Sequence, residues 1–300
     1  MIQSGSFVKI GIVGIGNMGF AMAARLLETG WSVAVRDIDT HREIAAGALG
    51  ARVCLSPAEV AHHSACVIVC VVNADQTEAV LFDSQHGVVA QGNRPCVMLC
   101  PTIGPDDVAA FASRLGERGL ACLEAPMSGG PLRARQGKMS LMVACEDALF
   151  DRHAALLGVL ADPVFRIGSR LGDGARTKLV NNLLAAINLA GAAEVLALAE
   201  RVGLDVPRTL DVIERSSGQS WIGSERMRRA IAGDTVPRAH TSLLNKDSAL
   251  ALAMARQAGF DAQLGASAAS LFQRACNAGM ADLDDACLLS MLRAHGPREP

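Results

Sequence analysis

Short apolar segments rich in β-branched residues alternate with segments of helical periodicity through the first half of the chain. The segments that we interpret as strands are residues 9–14, 32–37, 52–55, 67–72, 96–100, 120–125, 140–145 and 164–167. Helical patterns lie between most of them, for example at residues 18–29, 75–82, 105–118 and 146–160. Because strands and helices alternate, we predict a mostly parallel sheet with helices on both faces.

From about residue 175 onward, the periodic segments are helical only. They cover residues 175–202, 207–216, 224–232, 243–258, 264–278 and 284–294, and the first is the longest. The fold class that we predict is therefore α/β, with a parallel-sheet domain in residues 1–170 and an all-α domain in residues 171–300. The long helix joins the two domains.

The first predicted strand runs directly into a glycine-rich turn, GIGNMG, which fits the pattern G-x-G-x-x-G between a strand and a helix. The first glycine permits a tight turn, the second lets a pyrophosphate approach the backbone, and the third lets helix and strand pack closely. We therefore predict a Rossmann-type dinucleotide-binding domain, with a tight turn that binds nothing as the alternative. The predicted cofactor contacts in this turn are Gly14, Gly16, Asn17, Met18 and Gly19.

Asp37 ends the second predicted strand, near the position where an acidic residue meets the adenosine ribose in such domains. A carboxylate there repels a 2′-phosphate, so Asp37 favours NAD as the cofactor. Arg36 is adjacent, and a guanidinium turned towards the ribose would hold a 2′-phosphate. NADP therefore stays open as the alternative cofactor.

Composition and charge exclude several classes of protein. The 300 residues are 50% hydrophobic and 19% charged with a net charge of −2, which is typical of a globular protein. No long basic segment is present, so neither nucleic acid nor an anionic membrane is expected as a partner. The most apolar long segment, residues 179–199, contains three asparagines and a glutamate, which favours a buried helix over a membrane span.

Cysteine usage and the chain start predict the compartment. The nine cysteines include no C-x-x-C pair, and no apolar leader precedes Lys9. Both observations favour a cytoplasmic protein with reduced thiols. The histidines show no metal-ligand spacing, so no metal site is expected.

Lysine is rare in this chain and tyrosine is absent, so acid/base chemistry by a tyrosine is excluded. Lys178 and Asn182 are spaced i, i+4 near the start of the long helix and therefore share one helical face. Apolar neighbours should lower the pKa of Lys178, and a lowered pKa suits a residue that accepts a proton from an alcohol. The alternative is that Lys178 lies on a solvent-exposed stripe of the helix and has no catalytic role. Lys246 and Asp247 begin a later helix, either as part of a site or as a surface ion pair.

Two loops after predicted strands carry groups suited to ligand binding. Ser128, Gly129 and Gly130 offer a hydroxyl and successive backbone N–H groups to a carboxylate, with an ordinary Gly-Gly loop as the alternative. Thr102 follows the strand at residues 96–100, at the edge where open α/β sheets bind ligands. Thr102 either touches the nicotinamide side of the site or caps the following helix.

Nearly the whole chain resembles the β-hydroxyacid dehydrogenase family, which includes 3-hydroxyisobutyrate dehydrogenase. The resemblance lies in four ordered segments, GIVGIGNMGFAMA, EAPMSGGPLRARQG, GARTKLVNN and NKDSALALA. Two further segments, VVNADQTEAVLF and SSGQSWIGSERM, are most similar to the branch that contains L-threonate dehydrogenase. The resemblance implies reversible hydride transfer between a nicotinamide cofactor and the hydroxyl carbon of a small hydroxy acid.

The resemblance also implies a role for individual residues and a mode of assembly. The expected roles are catalysis for Lys178 and Asn182, substrate binding for Ser128, Gly129, Gly130, Lys246 and Trp221, and cofactor contact for Asn73, Thr102, Lys246 and Asp247. Two long helices pack across a dimer interface in the family, so a homodimer or homotetramer is expected.

Three residues depart from the family pattern. Glu124 and Met127 stand where the family usually has Asp and Val, and Pro101 stands where it usually has Ser. These departures concern the substrate more than the reaction, so L-threonate and a 3-hydroxyisobutyrate-like acid are both expected candidates. Reduction of tartronate or succinic semialdehyde with NAD(P)H is an alternative activity. A non-catalytic nucleotide-sensing protein is a remote alternative, and the presence of both Lys178 and Asn182 argues against it.

Overall fold

The computed structural model describes residues 9–90 and 92–294. Residues 1–8, 91 and 295–300, which include the ends of both predicted domains, lie outside the described part. The strands are β1 (Ile10–Val13), β2 (Val33–Arg36), β3 (Arg52–Val53), β4 (Cys66–Val69), β5 (Cys96–Leu99), β6 (Cys122–Glu124), β7 (Met127–Ser128), β8 (Met139–Ala144) and β9 (Ala161–Gly168).

These strands form one sheet in the order β3-β2-β1-β4-β5-β6-β8-β7, with β9 paired to β8. The strands from β3 to β6 are parallel, β8 is antiparallel to both β6 and β7, and β9 is parallel to β8. The prediction of a mostly parallel sheet is confirmed. In β1, β4 and β5 every residue is buried, which explains why these strands are continuous apolar runs.

Seven complete α-helices lie among the described residues of the first compact unit. They are α1 (Asn17–Glu28), α2 (Thr40–Ala48), α3 (Pro57–His62), α4 (Ala74–Phe82), α5 (Pro105–Glu117), α6 (Gly130–Arg135) and α7 (Asp147–Leu160). Alternate strand residues pack on opposite sides, so that Ile68 lies in the core shared with α1 and α7, and Val69 in the core shared with α3 to α5. The helices therefore cover both faces of the sheet.

The second half of the chain is helical. Its helices are α8 (Asp173–Arg201), α9 (Val206–Glu214), α10 (Trp221–Ile231), α11 (Thr241–Gln257), α12 (Gln263–Ala275) and α13 (Leu288–Ala294). Leu189 and Leu196 of α8 share a buried core with Met227 of α10 and Phe272 of α12. The prediction of a helical C-terminal domain is confirmed.

Contacts between Cα atoms divide the chain into two compact units, with the division between Lys178 and Leu179. The helix α8 runs through this division, and the predicted boundary between residues 170 and 171 lies just ahead of the helix. That boundary stays a prediction.

Several element bounds differ from the sequence prediction for local reasons. The segment after residue 125, expected as a loop, contains β7 and α6. The helix expected at residues 264–278 is α-helical up to Ala275 and continues as a π-helical turn over Cys276–Met280, in which Gly279 adopts a positive φ of 81°. The helix expected at residues 284–294 starts with a 3-10 turn, in which Asp284 accepts a hydrogen bond from the Ala286 N–H.

Candidate nucleotide and catalytic site

The glycine-rich turn fits a dinucleotide by its geometry. Gly14 has a φ of 90°, and a Cβ atom on it would lie 2.5 Å from the Cys70 carbonyl oxygen. A Cβ atom on Gly19 would lie 2.0 Å from the Gly14 carbonyl oxygen, so α1 can approach β1 this closely only with glycine there. In front of Gly16 no atom lies within 4 Å of such a Cβ position, which leaves room for a phosphate at the N-terminus of α1.

Asp37 lies at the carboxyl end of β2, beside this turn. Its Oδ2 accepts a hydrogen bond from the Ile15 N–H at 2.6 Å, and its Oδ1 accepts one from the Asp39 N–H at 2.9 Å. Arg36 is turned to Glu43, with 2.6 Å between Arg36 Nη1 and Glu43 Oε1. The carboxylate is therefore fixed next to the glycine turn, and the adjacent guanidinium is paired with an acid.

Asn73 and Thr102 follow β4 and β5. Since β1, β4 and β5 are parallel neighbours, both residues lie at the same carboxyl edge of the sheet as the glycine turn. Asn73 is the N-cap of α4, and its Oδ1 accepts a hydrogen bond from the Gln76 N–H at 2.9 Å. Thr102 is partly buried. The structure thus brings the predicted cofactor residues of the first unit to one edge.

The predicted carboxylate loop lies where β7 ends and α6 begins. Ser128 pairs with Ser140 of β8, and Gly129 and Gly130 have φ values of 126° and 75°. These positive φ values need glycine. Ser128, Gly129 and Gly130 are all partly buried.

Lys178 and Asn182 lie one turn apart on α8, as their spacing predicted. Lys178 is 7% exposed and Asn182 is 9% exposed, whereas Val180 between them is 62% exposed. Lys178 is therefore not on a solvated stripe, and that alternative is wrong. Burial of an ammonium group is costly unless the group is paired or hydrogen-bonded.

Glu124 holds the start of this helix, a contact that sequence reasoning missed. The buried Glu124 carboxylate accepts hydrogen bonds from the Gly172 N–H at 2.7 Å, the Gly174 N–H at 3.2 Å and the Ala175 N–H at 2.5 Å. Burial raises the pKa of Glu124, while these three donors oppose the rise. A Cβ atom on Gly174 would lie 2.8 Å from Glu124 Cδ, so the glycine is needed for the fit. The beginning of α8, five residues before Lys178, is thereby anchored to β6.

One carboxylate in the second unit joins two predicted site residues. Asp247 accepts a hydrogen bond from Asn182 Nδ2 on Oδ2 and one from Lys246 Nζ on Oδ1, both at 2.7 Å. Asp247 is 7% exposed, so the pair Lys246–Asp247 is not a surface ion pair. Trp221, at the first position of α10, is 52% exposed.

Two family models match the chain and together cover most of it. One, described as the NAD binding domain of 6-phosphogluconate dehydrogenase, matches residues 9–168, and the other, described as NAD-binding of NADP-dependent 3-hydroxyisobutyrate dehydrogenase, matches residues 172–292. The chain belongs to the β-hydroxyacid dehydrogenase family. This dehydrogenase uses NAD or NADP and transfers a hydride to or from the hydroxyl carbon of a small hydroxy acid.

Characterised relatives match over nearly their whole lengths. L-threonate dehydrogenase of Cupriavidus necator is 35% identical over 283 residues, which cover 94% of this chain and 95% of that protein. 3-Hydroxyisobutyrate dehydrogenase of Pseudomonas aeruginosa is 34% identical, with 88% and 90% covered. The crystal structure of 3-hydroxyisobutyrate dehydrogenase from Salmonella typhimurium has a TM-score of 0.88 at 34% identity and covers 95% of this chain and 99% of that one.

The helix α8 is long and apolar enough to cross a membrane by length and composition alone, with a mean hydropathy of 1.6 in its most apolar window. It also carries the buried Lys178 and Asn182, and the second family model runs through it. Leu189 and Leu196 of this helix lie in the buried core of the second unit, so the helix is a core element of the dehydrogenase.

Proposed function

We propose that this dehydrogenase oxidises a four-carbon sugar acid such as L-threonate in the cytoplasm, with Lys178 as the acid/base residue. The observation that carries the proposal is the burial of Lys178 on a helix whose start is fixed by Glu124. The choice of substrate is supported by the relatives that are named L-threonate dehydrogenase, which are 35% and 34% identical to this chain.

The substrate carboxylate binds at Ser128, Gly129 and Gly130. The Ser128 hydroxyl and the backbone N–H groups of Gly129 and Gly130 are the donors that we assign to it. A carboxylate anchored at one end leaves the hydroxyl carbon of a small acid in a defined position.

Lys178 accepts the hydroxyl proton at Nζ during oxidation and returns it during reduction. The nicotinamide cofactor, when bound, supplies the hydride acceptor. Burial keeps bulk water from competing for the proton, so the lysine serves as a specific general base rather than a solvated cation.

Asn182 and Lys246 bind the substrate through side chains that Asp247 holds in place. Each donates to a different oxygen of the Asp247 carboxylate, so neither side chain can rotate freely. Asp247 is thus a positioning residue for both. Fixing polar side chains before the substrate binds lowers the entropy that is lost on binding.

We further propose that NAD is preferred over NADP. The Asp37 carboxylate faces the turn that binds the adenosine half, and Arg36, the residue suited to a 2′-phosphate, is engaged by Glu43. A 2′-phosphate would meet the Asp37 carboxylate, and the Arg36 guanidinium next to it is already paired with Glu43.

The test is a screen of small hydroxy acids, L-threonate and 3-hydroxyisobutyrate included, with NAD and with NADP, followed by the absorbance of the reduced nicotinamide. We expect the highest kcat/KM with L-threonate and NAD. Lys178→Ala should lower kcat by about 10²–10⁴-fold, the range of general acid/base catalysis, and leave the dissociation constant of NAD nearly unchanged. Lys9→Ala, at an exposed lysine of the same unit, is the matched control.

Two results would contradict the proposal. Turnover of Lys178→Ala close to wild type would eliminate Lys178 as the acid/base residue. Oxidation of 3-hydroxyisobutyrate but not of L-threonate would leave the residue assignment intact and replace the substrate.

We also propose that the dehydrogenase is a homo-oligomer that uses the exposed face of α8. Val180, Leu184, Val195 and Leu198 are between 46% and 62% exposed, and their spacing places them on one stripe of the helix. An apolar stripe of this length on a soluble chain is typical of a contact between subunits.

A further inference from the structure

A second cluster of chemically capable side chains lies away from the nucleotide turn. Cys66 is the first residue of β4 and Cys96 is the first residue of β5, and the two are direct partners in the parallel register. Registered partners point to the same face of a sheet, and α7 covers this face. His153, on α7, is the third member.

The three side chains converge closely enough to share one ion. One ligand atom from each, the two Sγ atoms and a ring nitrogen, lies within 4.8 Å of the other two. Ligands on a tetrahedral zinc ion are about 3.7 Å apart, given zinc–sulfur bonds of about 2.3 Å. The separations therefore exceed the zinc value by at most about 1.1 Å.

The orientation of His153 suits a metal ligand. Its Nδ1 lies 2.9 Å from the Leu149 carbonyl oxygen, and because a carbonyl only accepts, Nδ1 carries the hydrogen. The lone pair of the neutral ring then lies on Nε2. Metal-binding histidines characteristically donate their other ring N–H to a carbonyl or carboxylate in this way.

We propose that Cys66, Cys96 and His153 bind one zinc-class divalent ion. Two thiolates, one neutral imidazole and a divalent cation form a centre without net charge, which a buried position tolerates. A monovalent soft ion on the same ligands would leave a net negative charge. Three protein ligands leave the fourth position to water, and the partly buried His153 provides the side from which it enters.

The proposed ion would stabilise the fold and take no part in hydride transfer. Cys66 and Cys96 begin their strands, whereas the glycine turn and Asn73 follow the carboxyl ends of β1 and β4. Four residues of strand separate the two edges by about 13 Å. The ion would cross-link β4, β5 and α7, so it should raise the melting temperature without changing the KM for NAD.

The experiment uses the full chain, which is reduced with a phosphine and freed of metal with a chelator. The thiols are counted in denaturant to verify that reduction is complete. Zn²⁺ is added in equilibrium dialysis, and Co²⁺ is added separately to detect thiolate-to-metal charge-transfer bands. We expect one ion per chain, charge-transfer bands with Co²⁺, and a higher melting temperature with Zn²⁺. Cys96→Ala and His153→Gln should weaken binding by about tenfold or more. Cys54→Ala, at another buried thiol, is the matched control and should bind as wild type does.

Two outcomes overturn the proposal. One is a fully reduced wild-type chain that retains no Zn²⁺ in dialysis. The other is binding that is equally strong in Cys96→Ala, His153→Gln and wild type, which would place the ion elsewhere. Because His153 lies on a helix and is only partly buried, His153→Gln keeps the test decisive if Cys96→Ala does not fold.

Discussion

Removal of the Glu124 carboxylate should destabilise the first turn of α8 and slow hydride transfer together. In Glu124→Ala the three N–H groups of Gly172, Gly174 and Ala175 lose their common acceptor. All three hydrogen bonds are buried, and an unsatisfied buried N–H group costs about 1–3 kcal/mol. Loss of the buried carboxylate itself offsets part of this, so we expect a net loss of about 3–5 kcal/mol in the free energy of unfolding.

The charge and the hydrogen bonds of Glu124 can be separated with Glu124→Gln. This variant keeps one acceptor oxygen and removes the buried charge, so its expected loss is only about 1 kcal/mol. Because burial raises the pKa of Glu124 in the folded chain, the folded state binds the proton more tightly than the unfolded state. The advantage of wild type over Glu124→Gln is therefore fully present below the ordinary carboxyl pKa and shrinks as pH rises through the raised pKa.

The assay is urea unfolding at several pH values, together with steady-state kinetics. Asp147→Ala is the control, since Asp147 also begins a helix but its side chain is 92% exposed, and its loss should stay below about 1 kcal/mol. Fraying of the first turn of α8 should lower kcat by about tenfold or more, because Lys178 follows directly on the same helix. A loss of less than about 1 kcal/mol in Glu124→Ala would refute the anchoring role, and an unchanged kcat would refute its link to Lys178.

Two further predictions concern the helical half of the chain. Burial favours a raised pKa for Asp284, but hydrogen bonds from the Arg238 N–H and the Arg229 guanidinium outweigh it and hold the pKa of Asp284 below its ordinary value. In urea unfolding at neutral pH, the free energy of unfolding of Asp284→Asn should therefore be about 3 kcal/mol below that of wild type. This difference should vanish as pH falls through the lowered pKa of Asp284. A difference that does not depend on pH would contradict the reasoning. Leu198 lies on the exposed apolar stripe of α8, so Leu198→Glu should reduce the molecular mass of the assembly that light scattering measures. If wild type already has the mass of a single chain, the proposed interface is refuted.

The sheet and the glycine turn could be predicted because their signals are local. Each buried parallel strand is a continuous apolar run, and G-x-G-x-x-G has meaning only between a strand and a helix. The short helix α3 has too few residues to show a clear helical period, but its start carries a signal. Ser56 accepts a hydrogen bond from the Glu59 N–H, and Glu59 accepts one from the Leu55 N–H, so S-P-A-E is a capping sequence with proline at the first helical position.

In the candidate site, too, the residues with a local sequence signal could be predicted and those that act over long sequence distances could not. The pair Lys178 and Asn182 follows from a spacing of four residues within one helix. Glu124 and Asp247 could not be found from spacing, because each acts on groups that lie far away along the chain. In the sequence, Glu124 stands out only as a departure from the family pattern. The cluster of Cys66, Cys96 and His153 is equally invisible in the sequence, since strand register alone brings the two thiols together.

The fixed carboxylate of Asp37 has a consequence for attempts to change the cofactor. Its two oxygens already accept the Ile15 and Asp39 N–H groups, so the rotamer is fixed before the proposed contact with a ribose forms. Ordering one such side chain otherwise costs about 0.5–1.5 kcal/mol, and that amount is saved at each binding event. Removing the acid to admit a phosphorylated ribose would also strip the Ile15 N–H of its acceptor and loosen the glycine turn. Redesign towards the phosphorylated dinucleotide would thus have to supply a new acceptor for the loop as well as remove the acid.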